Sequence, residues 1–158
     1  MKATNFMKLE VSAQSVNESF VRGTVAAFAA QVDPTLDEIN DLKTAVSEAI
    51  TNSVVHAFDK TDSGNIINVE CELFNTHIIV KVSDKGKGIK DINQAMQPFV
   101  TTRADEERSG MGFTVMQSFV DDLDVTSKPG QGTTIIMRKN FSGKSKESAF
   151  TPRGLNVI

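Results

Sequence analysis

Residues 67–88, INVECELFNTHIIVKVSDKGKG, decide the fold. Ile67, Val69, Cys71 and Leu73 alternate with polar residues, and after Asn75-Thr76 a second apolar run extends from Ile78 to Ser83. Period-two alternation marks strands with one buried face, and so short a connection makes the two strands antiparallel neighbours. The second strand ends on Asp84-Lys85-Gly86-Lys87-Gly88, a carboxylate followed by two glycines. A carboxylate at a strand end can accept a hydrogen bond from an exocyclic amine such as that of adenine. Glycines beyond it let backbone approach closely. Taken alone, D-x-G-x-G is also the pattern of an ordinary glycine loop.

Upstream, Phe6, Lys8 and Glu10 alternate with Met7, Leu9 and Val11, which predicts a further strand. Ser15-Val16-Asn17-Glu18 has the form of a capping box and predicts a helix with Val21, Val25, Phe28 and Val32 on one face. Asp33-Pro34 ends it. A second capping box, Thr35-Leu36-Asp37-Glu38, opens the longest periodic segment, with Ile39, Leu42, Val46, Ala49, Ile50 and Ala57 at helical spacing. A turn is expected over Asp59 to Asn65.

Downstream, residues 84–112 lose all periodicity. A long irregular stretch in a compact domain points to function or mobility. A helix is predicted over Phe113 to Val120 and strands over Leu123 to Ser127 and Thr133 to Arg138, around a turn at Lys128-Pro129-Gly130-Gln131-Gly132. The pattern predicts an α+β fold, a two-layer sandwich with helices on one face of a mixed, largely antiparallel sheet. One domain is expected over 1–141, with a flexible tail over 142–158.

The 158 residues, 39% hydrophobic and 23% charged, are those of a globular chain with an ordinary core. A net charge of −3 gives no general attraction to nucleic acid or to an anionic membrane. Cys71 is the only cysteine, which excludes an internal disulfide and suits a reducing compartment. No apolar run approaches spanning length, so a cytoplasmic protein is expected.

Three segments carry candidate chemistry. On the long helix Glu48, Asn52 and His56 fall at i, i+4 and i+8 and share a stripe. A carboxylate one turn from a carboxamide suits a metal ligand beside a general base, although a solvated helix face has the same spacing. The second is Asp84 with Gly86 and Gly88. The third is Arg108-Ser109-Gly110-Met111-Gly112, directly before a helix, where glycine-flanked amides and an arginine would receive an anion. Gly132-Thr133-Thr134 offers another backbone approach or simply a turn entering a strand.

Other nucleotide signatures fail on spacing. Neither glycine pair completes G-x-G-x-x-G, because the third positions are Asp91 and Val115. Gly143-Lys144-Ser145 lacks the opening glycine of a P-loop, Arg138 standing there instead. There is no H-R-D or D-F-G, and one cysteine with two distant histidines makes no zinc site.

The order of these elements resembles the ATP-binding fold shared by gyrase-type ATPases, the Hsp90 chaperone, histidine kinases and MutL. Ser47-Glu48-Ala49-Ile50-Thr51-Asn52 and Glu107 to Phe113 are most similar to the bacterial anti-sigma factors that are also serine kinases. Phe99-Val100-Thr101-Thr102 and Asn17-Glu18-Ser19-Phe20 extend the similarity to the anti-sigma F group of endospore formers, over roughly residues 6 to 140. The resemblance implies ATP or ADP with Mg2+, Asn52 as the metal ligand and Glu48 as general base. It implies Asp84 at the adenine amine, Gly86 and Gly88 shaping that wall, and Thr133 supporting it. Thr101 and Thr102 would lie in a lid, Arg108 would approach the terminal phosphate, and Ser109, Gly110, Met111 and Gly112 would wrap it.

It further implies a homodimer that sequesters a sigma factor and phosphorylates a serine of an anti-anti-sigma partner, without direct nucleic-acid or membrane binding. The helix carrying Glu18 and Arg22 is expected to present charge to a partner beside a dimer seam. Arg103 stands where the family usually has Lys, which keeps charge and alters geometry. Two other readings stay open: an ATP-gated binding module without catalysis, and a histidine-kinase catalytic domain.

Overall fold

The computed structural model describes residues 2–57, 64–97 and 112–143. Five strands, β1 (Asn5–Ser12), β2 (Ile66–Leu73), β3 (His77–Asp84), β4 (Asp122–Lys128) and β5 (Gly132–Asn140), form one sheet in the order β1-β2-β3-β5-β4. Every pairing is antiparallel. The helices are α1 (Asn17–Ala29), α2 (Leu36–Asn52), α3 (Ile92–Ala95) and α4 (Gly112–Phe119). The α+β sandwich expected from the sequence is the observed architecture.

The strand alternation places one set of side chains under the helices. Directly opposed rows run Leu73–Ile78, Cys71–Val80–Met137 and Val69–Val82–Ile135, all buried. Cys71 lies mid-strand in this core, and burial pushes its thiol pKa up to about 12. The opposite face is polar, with Glu70 reaching Lys8 at 3.8 Å and Lys81 at 3.9 Å. Such exposed pairs add little stability.

Helix α2 buries Leu42, Ala45, Val46, Ala49 and Ile50, the i, i+3, i+4, i+7, i+8 stripe of a core-facing helix, and packs between α1 and α4. Its capping box forms as predicted: Thr35 Oγ1 accepts from the Glu38 amide at 3.2 Å, and Glu38 Oε2 accepts from the Thr35 amide at 2.8 Å.

The capping box expected at Ser15–Glu18 does not form. Val16 is the N-cap residue of α1 and makes no side-chain cap bond. Glu18 instead accepts from the Ser47 hydroxyl of α2 and pairs with Arg22 at 3.3 Å. A tertiary partner has taken the carboxylate from the helix terminus.

Beyond Asn52 the chain widens into a π turn over Ser53–Ala57. Such turns insert a residue into the helical ladder and are frequent at functional sites. The short helix α3, inside the stretch expected to be irregular, is capped by Asp91, whose Oδ1 accepts from the Gln94 amide at 3.0 Å.

Candidate functional site

The site begins where β3 ends. Asp84 is 5% exposed, its carboxylate flanked by three donors. Oδ1 accepts from the Gly86 amide at 2.9 Å and the Thr133 amide at 3.3 Å, and Oδ2 accepts from the Ser53 hydroxyl at 2.9 Å. Burial raises the Asp84 pKa above the usual carboxylate value, while those three hydrogen bonds pull the other way. Each carboxylate oxygen has two lone-pair directions, so Oδ2 keeps one for an outside donor.

Ser53 is the first residue of the π turn. It directly follows Asn52, the last residue of α2, and Glu48 lies one helical turn earlier. A rise of about 1.5 Å per residue puts Glu48 and Asn52 roughly 6 Å apart along one stripe. Ser53 thus joins the helix that carries Glu48 and Asn52 to Asp84 at the end of β3. Glu48 and Asn52 are half-buried.

The loop after Asp84 is stitched on two sides. The Lys87 amide donates to the Ala57 carbonyl at 2.7 Å, and the Gly130 amide donates to the Lys87 carbonyl at 2.7 Å. A Cβ on Gly86 would sit 2.2 Å from the Ala57 carbonyl oxygen, and one on Gly88, at φ +74°, 2.1 Å from that of Lys128. The close approach requiring glycine at both positions is thus to protein backbone. Gly132, at φ +88°, lies under Asp84 itself, where a Cβ would meet the Asp84 carbonyl oxygen at 2.0 Å. Loops from three parts of the chain are locked around one carboxylate.

Thr133, 5% exposed, stands opposite Asp84 in the sheet. Gly112 opens α4 and is half-buried. Thr101, Thr102, Arg108, Ser109, Gly110 and Met111 lie outside the described residues, as do Phe99, Val100, Arg103, most of the turn expected over 59–65 and the tail from 144. Along α1 and α2, a groove of about 450 Å3 is lined by Arg22, Asn40, Lys43, Thr44, Ser47 and Glu48. It includes the candidate base and the Glu18-bound Arg22 and Ser47, but not Asp84.

Ser53 and Ser127 escaped the sequence reading. Ser127 Oγ accepts from the Ile89 amide at 2.7 Å and donates to the Gly132 carbonyl at 2.9 Å. A lone serine has no period, and only its place beside Asn52 in E-x-x-x-N-S marked Ser53.

Comparison with known proteins gives the family and agrees with the fold. The family model of the histidine kinase-like ATPase domain matches residues 11–139. The anti-sigma F factor of Caldanaerobacter subterraneus subsp. tengcongensis is 52% identical over 146 residues, covering 92% of this chain and all of the relative. That of Clostridium novyi is 53% identical over 137 residues, covering 87% and 95%. Among solved structures, the RsbU and RsbW domains of a Mycobacterium tuberculosis protein superpose with a TM-score of 0.64 at 18% identity. That match covers 87% of this chain and 33% of the other, and it shows the fold. A blue-light activated histidine kinase domain of Erythrobacter litoralis superposes at 0.53, also at 18% identity, over 79% and 61%. The family model over residues 11–139, with relatives 52% and 53% identical along all or nearly all of their length, places the chain in the histidine kinase-like ATPase domain family, among the anti-sigma F factors.

Proposed function

We propose that this chain is an anti-sigma factor and an ATP-dependent serine protein kinase. It sequesters a sigma factor of the sigma F type and phosphorylates a serine of an anti-anti-sigma partner, working as a homodimer in the cytoplasm. The observation that carries the reading is Asp84, a buried carboxylate with an acceptor position left over, joined by Ser53 to the helix of Glu48 and Asn52.

The residues fit a nucleotide at its base end. Asp84 would take the exocyclic amine, Gly86 and Gly88 would hold the wall, and Thr133 would close it. Asn52, on the helix of Glu48, would ligate Mg2+ together with phosphate oxygens, the oxygen ligands this ion takes. Arg108, Ser109, Gly110, Met111 and Gly112 would receive the phosphates, and Thr101 and Thr102 would belong to a lid. When bound, ATP supplies the phosphoryl group and Mg2+ neutralises its charge. Glu48 would take the proton of the attacking serine hydroxyl as its oxygen bonds to the γ-phosphorus and ADP leaves, a general-base role expected to contribute about 10²–10⁴-fold in rate. The lid's response to the terminal phosphate would alter the surface offered to partners, and so couple nucleotide state to partner choice.

The test is transfer of labelled γ-phosphate to the cognate anti-anti-sigma protein, with Glu48→Gln beside the wild type. The expected result is phosphoserine from the wild type and at least about 100-fold less from a variant that binds ATP normally. ATP binding without any transfer would favour the ATP-gated binding module, and absence of ATP binding would overturn the reading.

A further inference from the structure

Asp84, Thr133 and Ser127 stand directly opposite one another on β3, β5 and β4, so they form one row on the helix-covered face of the sheet. The hydrogens in this row can be assigned by counting. The Ile89 amide can only donate, so Ser127 Oγ accepts from it at 2.7 Å. The Gly132 carbonyl can only accept, so the one hydrogen of Ser127 goes to it at 2.9 Å. Ser127 Oγ also lies 2.9 Å from Thr133 Oγ1, and with its own hydrogen committed it can only accept there. The Thr133 hydroxyl is therefore the donor and has no hydrogen left.

The same count holds next door. Ser53 gives its hydrogen to Asp84 Oδ2, and Asp84 receives three hydrogen bonds and gives none. Asp84, Ser53 and Thr133 thus present lone pairs alone. A molecule bonding to them must bring the hydrogens, which an exocyclic amine does and a carbonyl does not.

We propose that Ser127 is a positioning residue for base specificity: by holding the Thr133 hydrogen it keeps the base end acceptor-only, so that an amine at the purine 6-position is paired there and a carbonyl at that position is not. This rests on the nucleotide reading above. Ser127 acts through Thr133. Without Ser127 the Thr133 hydroxyl is free to turn its hydrogen toward a carbonyl at the 6-position. The cost of presenting an acceptor to an acceptor is a partner left unpaired, the strongest discriminator a polar site has.

The experiment uses the full chain and compares Kd for ATP and inosine triphosphate, with Mg2+, across variants. Ser127→Ala is expected to lower the preference for ATP over inosine triphosphate about five-fold, the worth of one neutral hydrogen bond. Thr133→Val, which keeps the backbone amide on Asp84, is expected to weaken ATP about five-fold and leave inosine triphosphate unweakened. In the Thr133→Val background, Ser127→Ala should move the ratio no further, a coupling that loosened packing alone would not produce. The proposal is overturned if Ser127→Ala leaves the ratio unchanged, or if Thr133→Val weakens inosine triphosphate more than ATP. The Thr133→Val arm decides the matter should Ser127→Ala fail to fold. A wild type that binds neither nucleotide overturns the nucleotide reading itself, whereas binding with an unmoved ratio overturns only the role of Ser127.

Discussion

Asp84 is a carboxylate taken out of water and held charged by three donors, and burial still leaves its pKa above the ordinary value of 3.8. The folded state therefore binds that proton more tightly than the unfolded chain does. Stability from this group falls as pH rises from the unfolded value through the folded one, and the cost persists at neutral pH. Asn in its place removes the charge and keeps the bonding pattern: its Oδ1 can accept from Gly86 and Thr133, and its Nδ2 can donate to Ser53. Asp84→Asn is expected to raise the nucleotide-free Tm by a few degrees at pH 7 while ATP affinity drops by about 100-fold or more, because an acceptor facing the amine becomes a donor. Thermal melts and nucleotide titration check both halves. A variant that melts lower and binds ATP normally would refute this account. Asp84 could be found in the sequence because a strand pattern ended on it. Ser53 and Ser127 could not, since Asp84 and Ile89, which they bond, come from other parts of the chain and only the fold joins them.

Among the elements, α2 shows what local patterns can and cannot specify. Thr35 and Glu38 match a capping-box motif and make one, whereas Ser15 and Glu18 match it equally well and do not. The difference is tertiary, because Ser47 and Arg22 hold Glu18 away from its helix start, whereas Glu38 keeps Oε2 on the Thr35 amide. The π turn had no signal beyond the helical period and was legible only as more helix. Glu38 does a second job, its Oε1 accepting from the Ser142 amide at 2.6 Å and so tying the chain after β5 to the start of α2. Burial works to raise the Glu38 pKa, but the backbone bonds from Ser142 and Thr35 outweigh it and hold the carboxyl below its ordinary value. A lowered folded pKa adds stability above the unfolded value of 4.5 and loses it as pH falls through the folded one. Glu38→Ala is therefore expected to cost about 1–2 kcal/mol at pH 7, in the range of a lost cap, and progressively less below about pH 4.5. Urea unfolding at a series of pH values would measure this, and a cost independent of pH would contradict it.

For the molecule as a whole, the two-layer plan was legible because its hairpins and its longest helix each carry an uninterrupted period. The meeting of the loops was not. Gly86 against Ala57, Gly88 against Lys128 and Gly132 against Asp84 are contacts between segments that no local pattern relates. They tie the end of the sheet, the π turn after α2 and the β4–β5 turn together, so the place proposed for the base is preformed. Preorganisation of this kind reduces the ordering cost of binding.

Cys71 makes that coupling between site and core measurable. As the sole thiol of the chain, buried mid-sheet and with its pKa pushed up to about 12, it is closed to alkylation until the sheet opens. Its modification rate is a clock for opening, with no label to install. A nucleotide that binds only the closed form should slow the clock by the factor 1 + [L]/Kd, so that about 100 Kd of ATP slows alkylation about 100-fold in the fast-reclosing regime. Timed alkylation with mass readout over an ATP series would give an affinity without a signal from the nucleotide. A rate indifferent to ATP at saturation would mean that the sheet can open without the site letting go.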